Sequence, residues 1–471
     1  MSLGPGDSAL ALSRALAANE LGAVELMQAT LDRIDGVNGA VNAIVSLRDR
    51  DALVAEARAA DARDRTGWLH GIPIAIKDLA NAKGLPTSMG SPIFAGQVAA
   101  QDDIITARLR AAGAIIIGKT NTPEFGLGSH STNPVFRPSR NPYNTGRSAG
   151  GSSGGAGVAL ATGMLSIADG SDMMGSLRNP AAWNNVYGLR PTWGLVPSEP
   201  LGDAFLHQLA TNGPMARCPR DLAALLDTMA GPDARQPQGI SSAPALPQID
   251  GHLAQPRIGW LGDWGGALPM EAGVLDLCAQ ALTQFEALGC RVDHVAAPFD
   301  SGALWQSWTT LRSFAVAGSL APQYADAGKR DQLNAQAQWE VSRGIALSAM
   351  EVHAASVTRT NWFKTAAQLF HEHDVLALPS AQMWPFDVTL DWPREIAGTT
   401  LDAYHHWMEV VVPASLIGLP VVSVPVGFGG PDDLPMGMQL IGPRGSDARL
   451  LQLAEAWHQA TDWPAQRPPP L

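Results

Sequence analysis

Cysteine is scarce in this chain: 471 residues carry three, Cys218, Cys278 and Cys290. An odd, small number builds no disulfide framework, and no CxxC spacing offers a thiolate metal site or a redox pair. A reducing, cytoplasmic compartment is the expectation. Charge is sparse too, at 16%, and its balance is acidic. The 32 Lys and Arg against 44 Asp and Glu give a net charge of −12. Phosphate binding needs clustered Lys and Arg, so nucleic acid is not an expected partner, and neither is an anionic membrane surface. The first twenty residues lack both the basic segment and the clean apolar segment of a signal peptide. A long uncharged run, 410–431, is interrupted by Pro413, Pro420 and Pro425. Its Val421–Pro425 portion reads as a buried strand, and no segment reads as a membrane span.

What is abundant is apolar residues, 46% of the chain, which suits a large, well-buried core. Residues 8–65 predict helices, because apolar side chains recur at three- and four-residue spacing. The texture then changes. GIPIAI, residues 71–76, predicts a strand ending at Lys77. A helix is expected over 102–112, a strand over 114–117, and loop over 126–157. A short apolar helix over 157–165 and a strand over 166–169 follow. Residues 232–256, rich in Pro, Gln, Gly and Ser, read as a connection. Beyond it come a strand from Arg257, a helix over 272–288, strands over 374–379 and 421–426, and a closing helix over 446–460. Strands alternating with helices predict an α/β fold, a large mixed sheet covered by helices on both faces. No composition break separates two domains. The expectation is one domain over 1–471: N-terminal helices 8–65, a catalytic core 66–200, and a variable helical elaboration over about 200–410 that shapes the substrate pocket.

Three segments carry chemistry-bearing residues. A lysine at the end of an apolar strand, such as Lys77, becomes a usable base if burial lowers its pKa; otherwise it is a strand-end ammonium in water. SAGGSSGGAG, with Ser152 and Ser153, can aim backbone N–H groups at a negative oxygen, or be a flexible turn. DGSDMMGSLRNPA places Ser176 beside a glycine after a strand, where successive N–H groups could stabilise an oxyanion. Asp172 and Arg178 bracket that serine, either as a salt bridge pinning the loop or as a surface pair of little value.

Taken together, these segments resemble the amidase signature family. The resemblance covers most of the chain: HGIPIAIKDL, AAGAIIIGKTNTPEFGLGS, SRNPYNTGRSAGGSSGGAG, GSDMMGSLRNPA, VPASLIGLPVVSVPVGF and LPMGMQLIGP. It implies a hydrolase of amide, anilide or carbamate C–N bonds. The family's catalytic lysine falls on Lys77, its relay serine, which follows a cis peptide bond, on Ser152, and its nucleophile on Ser176. It further implies an oxyanion hole from the backbone of Met173, Met174, Gly175 and Ser176, with Ser153 and Ser171 as polar neighbours. The loop 124–132 is expected to form a pocket wall. No cofactor or metal is implied, the partner is a small amide or carbamate, and a homodimer is compatible with it. One departure stands out. The family usually has two glycines before the nucleophile, whereas Met174 and Gly175 stand here, and Met173 occupies a position where Thr or Ile is common. A positive φ at Met174 would be strained. The variant segment resembles a branch containing nylon-oligomer cyclic-dimer hydrolases and urethane-cleaving amidases.

Rival readings rest on weaker patterns. GAIIIGKT, 113–120, matches a phosphate-loop string, but its middle is itself a strand. Gly151-x-Ser153-x-Gly155 matches a nucleophile elbow and would make the protein an esterase using Ser153, with His207, His371 or His373 as partner. The pairs His371/His373 and His405/His406 lack metal-ligand spacing. A third rival keeps the fold and changes the role: the A-type subunit of a glutamine amidotransferase, acting with partner subunits. Trp305, Trp308, Phe314, Trp384, Trp392 and Trp407 lie in the variable stretch, where they either line an apolar pocket or pack the core.

Overall fold

The computed structural model describes residues 3–206, 208–251 and 253–471. Helices α1 (Ala9–Ala17), α2 (Ala23–Val41) and α3 (Arg50–Asp61) come first. Ser8 and Asp49 start α1 and α3 by accepting the Ala11 and Ala52 amides, which the first helical turn leaves open. A three-stranded sheet follows, built from β1 (Ile44–Val45), β2 (Pro73–Lys77) and β3 (Ile115–Thr120) in the order β1-β3-β2. Helix α4 (Ile104–Ala111) crosses from β2 to β3, which run parallel. Every residue of β2 and β3 is buried, which is why both read as unbroken apolar runs.

The second sheet has eight strands. Helix α5 (Gly154–Ala161) leads into β4 (Ile167–Asp172), α6 (Arg178–Trp183), β5 (Tyr187–Arg190), β6 (Thr211–Ala216) and α7 (Pro219–Met229). Then come β7 (Arg257–Trp260), α8 (Val274–Ala287) and β8 (Arg291–His294). A helical stretch comprises α9 (Ser301–Ala325), α10 (Ala327–Arg330), α11 (Ala335–Ala346) and α12 (Ala349–Glu372), ahead of β9 (Val375–Pro379). A two-residue hairpin, β10 (Glu395–Ile396) with β11 (Thr399–Thr400), stands apart. Helix α13 (Val412–Leu416), β12 (Val421–Gly429), β13 (Leu434–Ile441), α14 (Asp447–Thr461) and α15 (Trp463–Gln466) complete the described chain.

The order across this sheet is β4-β6-β5-β12-β13-β9-β7-β8, with β7 parallel to β8 and β9 and the other pairs antiparallel. Helix α6 packs against β12 and β13, while α8 and α14 pack against β12. Pro425 sits inside a central strand, and the register shifts between Pro425 and Gly427. A bulge is where a sheet tolerates a residue that cannot donate.

Two expectations are refined. The stretch 200–410, expected as a helical elaboration with strands from Arg257 and over 374–379, supplies β6 and β8 to the main sheet as well as β7 and β9. The mixed sheet is also divided where β2 abuts β4. There the Lys77 N–H donates to Asp169 Oδ1 at 3.0 Å, a side-chain acceptor rather than a main-chain carbonyl.

Candidate active site

Lys77 ends β2 with its side chain buried. Its Nζ lies 2.8 Å from Ser152 Oγ, 2.9 Å from Ser153 Oγ and 3.0 Å from Ser171 Oγ, with the Ser171 carbonyl at 3.3 Å. Burial lowers its pKa to about 7, against the opposing pull of Asp169 and Asp172. A buried amine ringed by neutral hydroxyls has little to hold a positive charge. The Ser153 hydroxyl can donate onward to Ser171 O at 3.4 Å, leaving the Ser152 hydroxyl free to donate to the amine lone pair.

The glycine-rich segment delivers Ser152 through a cis Gly151–Ser152 peptide. The next residue, Ser153, precedes α5 and donates its N–H to Ser176 O at 3.2 Å, so the glycine-rich loop and the turn at Ser176 are tied together. Ser152 and Ser176 are both nearly buried, and no hydrogen bond closes the leg between their hydroxyls among the described residues. Such legs often tighten only with substrate bound.

Asp172 organises the turn that carries Ser176. Arg178 grips it with two bonds of 3.0 Å, and Arg190 adds another at 3.2 Å. All three side chains are fully buried. Burial alone would raise the Asp172 pKa; the two guanidiniums beside it hold it well below the usual carboxylate range. Its oxygens also accept the amides of Gly175, at 2.9 Å, and Leu177, at 3.1 Å. The reading of this pair as a loop-pinning bridge therefore matches the geometry, in a buried rather than a surface setting.

That arrangement corrects one expectation. The Gly175 amide, expected in the oxyanion hole, is already committed to Asp172. The amides of Met173, Met174 and Ser176 meet no acceptor among the described residues. Gly175 contributes instead through its φ of +78°, and a Cβ there would sit 3.0 Å from both Val411 Cγ atoms. The strain considered at Met174 does not arise, because the positive φ falls on Gly175. Met174 is buried with its sulfur 3.2 Å from Trp308 Nε1, and Met173 Sδ lies 3.4 Å from Arg312 Nη1.

Two groups were not anticipated. Asp169, buried on β4, is pushed up to about 6 by burial, against the Lys77 amide and the two nearby lysines. A charged residue within the apolar strand pattern was the only signal for it. Arg312 on α9 binds Glu340 at 2.7 Å and Tyr404 OH at 2.8 Å, reaching the Ser176 turn through Met173. Tyr404 and Leu127 share an apolar cluster with residues of α9 and α11, and Trp392 packs on it, so the chain at Leu127 packs against the helical stretch. The other aromatics divide. Trp308 touches Met174 of the Ser176 turn, Trp305 stacks on His406, Trp407 stacks on Trp183, Trp384 packs beside Gly430, and Phe314 is half-buried on α9.

The rivals fare differently. Residues 115–120 of the phosphate-loop string form β3, with Lys119 buried 3.7 Å from Asp78. Ser153 is bonded to Lys77 and Ser171, with no imidazole among the described residues that bond it. His373 faces Asp293 at 3.9 Å, and His207 lies outside the described residues. No group of three His, Cys, Asp or Glu with metal-holding geometry occurs among the described residues, and no described helix is long and apolar enough to cross a membrane.

Comparison with known proteins adds an independent line. The amidase family profile matches residues 25–451. An acylamidase of Rhodococcus erythropolis is 33% identical, over 98% of this chain and 97% of that one. The A-type subunit of a glutamyl-tRNA(Gln) amidotransferase from Symbiobacterium thermophilum is also 33% identical, over 98% of both. The crystal structure of a bacterial aryl acylamidase superposes with a TM-score of 0.91 at 26% identity, covering 98% of this chain and 99% of that one. A 6-aminohexanoate cyclic dimer hydrolase gives 0.89 at 26% identity, over 99% of both.

Proposed function

This chain belongs to the amidase signature family of C–N bond hydrolases, and from that premise we propose that it cleaves small acyl amides, anilides and carbamates through an acyl-enzyme on Ser176. Neutral Lys77 accepts the Ser152 proton, and Ser152 takes that of Ser176 as its oxygen attacks the carbonyl. The amides of Met173, Met174 and Ser176 receive the oxyanion; losing one such donor costs about 3 kcal/mol of transition-state stabilisation. The proton returns through Ser152 to the departing amine, which must be protonated to leave. Water then releases the acyl group by the same route.

The observation that carries this reading is the buried Lys77 amine held 2.8 Å from Ser152 Oγ with its pKa lowered to about 7. The acylamidase and aryl acylamidase likenesses support an anilide panel as the first substrates. Release of 4-nitroaniline from acyl 4-nitroanilides, and hydrolysis of nitrophenyl carbamates, test it. Lys77→Ala and Ser176→Ala are each expected to lower kcat/KM by on the order of a thousandfold or more. Full activity in Lys77→Ala would remove the lysine from the mechanism.

The likeness to an amidotransferase A-type subunit over 98% of the chain favours one rival, a role that depends on partner chains. Turnover by the purified chain alone argues against it. A chain inert on the whole panel, with its fold intact, argues for it.

A further inference from the structure

Lys77 is reached from two sides. On one side stand Ser152 and Ser153. On the other is a cavity of about 160 Å³ whose lining includes Lys77, Asp169, Ser171 and Asn212, but not Ser152, Ser153 or Ser176. Its outer rim is the 197–201 loop, where Leu201 is 69% exposed. Asp169 is 1% exposed, its Oδ1 holds the Lys77 amide, and its Oδ2 has no hydrogen-bond partner among the described residues. A polar cavity of this size has room for several waters, each needing two or more polar partners. The hydroxyls of Ser171 and Ser198 and the side-chain carbonyl of Asn212 line it and can supply them, while the unused Asp169 oxygen stays buried in the wall.

We propose that this cavity is a water-filled proton port to the catalytic lysine and that Asp169 is the positioning residue that sets how readily Lys77 sheds its proton. The inference rests on Lys77 being the base. In the free enzyme, before the cycle in which Lys77 hands its proton back through Ser152, this cavity is the route by which a protonated Lys77 reaches solvent on the side away from Ser152 and Ser176. The step conserves charge. A Lys77 N–H bond breaks, its electron pair stays on nitrogen, the proton passes to a cavity water, and an onward transfer delivers it to buffer base at the Leu201 rim.

The charged groups around Lys77 leave Asp169 as the one that acts on it most directly. On β4, Asp172 is occupied by Arg178 and Arg190. Asp78, next on its own chain, lies against Lys119 of β3. Asp103, ahead of α4, accepts from Asn81, and Glu199 of the rim pairs with Arg235. Asp169 keeps one oxygen uncommitted.

The test is the pH dependence of kcat/KM for 4-nitroacetanilide hydrolysis by the full chain, read in wild type, Lys77→Ala, Asp169→Asn and Asn212→Asp. Asp169→Asn keeps the acceptor for the Lys77 amide and removes a negative charge. Its acid limb is expected at lower pH by about one unit. Asn212→Asp adds a negative charge to the cavity, and its limb is expected at higher pH. Opposite displacements cannot come from general damage, which lowers the whole profile without moving it. If both limbs coincide with wild type while Lys77→Ala is inactive, the port inference is overturned and the triad stands. If Lys77→Ala is active, the base assignment fails and the port with it.

Discussion

At the scale of single residues, burial does most of the chemistry. Taking the Lys77 amine out of water lowers its pKa from 10.5 to about 7. A base must be unprotonated, so wild-type kcat/KM is expected to fall tenfold per unit below about pH 7 and to level off above it. A stopped assay in overlapping buffers reads this directly. An acid limb centred near the ordinary lysine range would sink the assignment. The charge on Asp172 is equally committed. Arg178 reaches both its oxygens and also Val411 O, Gln439 Oε1 and Ser415 Oγ. Arg178→Met leaves buried Asp172 with Arg190 as its remaining cation and takes the donor from Val411 O, Gln439 Oε1 and Ser415 Oγ, and urea unfolding is expected to show a loss of about 3 kcal/mol. Gly175→Ala should abolish turnover while leaving the protein folded, since its φ of +78° and the Val411 methyls exclude a Cβ. Circular dichroism beside the anilide assay separates those outcomes.

At the scale of elements, what could be read from the chain depended on periodicity. β2 and the closing helix α14 were legible because apolar residues repeat at the right spacing. The ends of elements were less so. β4 was expected to stop at Asp169, yet runs on through Gly170, Ser171 and Asp172 because Gly213, Asn212 and Thr211 of β6 pair with them. Such residues have weak strand preference, and pairing with a distant segment overrides it. The same limit hid the Gly175 amide's true partner: motif and spacing place four amides near Ser176, but which one Asp172 takes is set by the folded turn. The helical stretch has its own local supports. Ser348 and Glu351 form a reciprocal capping box at the start of α12. Ser348→Ala is expected to cost about 1 kcal/mol in a urea titration, with kcat for the anilide unchanged because neither residue approaches the serine cluster.

At the scale of the whole molecule, the main sheet is threaded out of sequence order. β12 and β13 come late in the chain yet lie between β5 and β9, and groups from this region hold Arg178 in place. A chain ending before β12 should therefore not yield a folded fragment, and limited proteolysis of such a truncation is expected to degrade its N-terminal part as fast as the rest. The late arrival of those strands also sets a timetable during synthesis. A ribosome adding about 5–20 residues per second has long released Lys77, Ser152 and Ser176 when Gln439 is joined to the chain. Until then β5 has an open flank, Arg178 lacks its outer partners, and the apolar strands beside them stay uncovered. Stalled nascent chains ending before β12 are expected to cling to chaperones and to be cut by added protease, and chains extended past α14 and clear of the exit tunnel to resist it. Hydrolytic competence would then be conferred in one step, once β12 and β13 have joined the sheet.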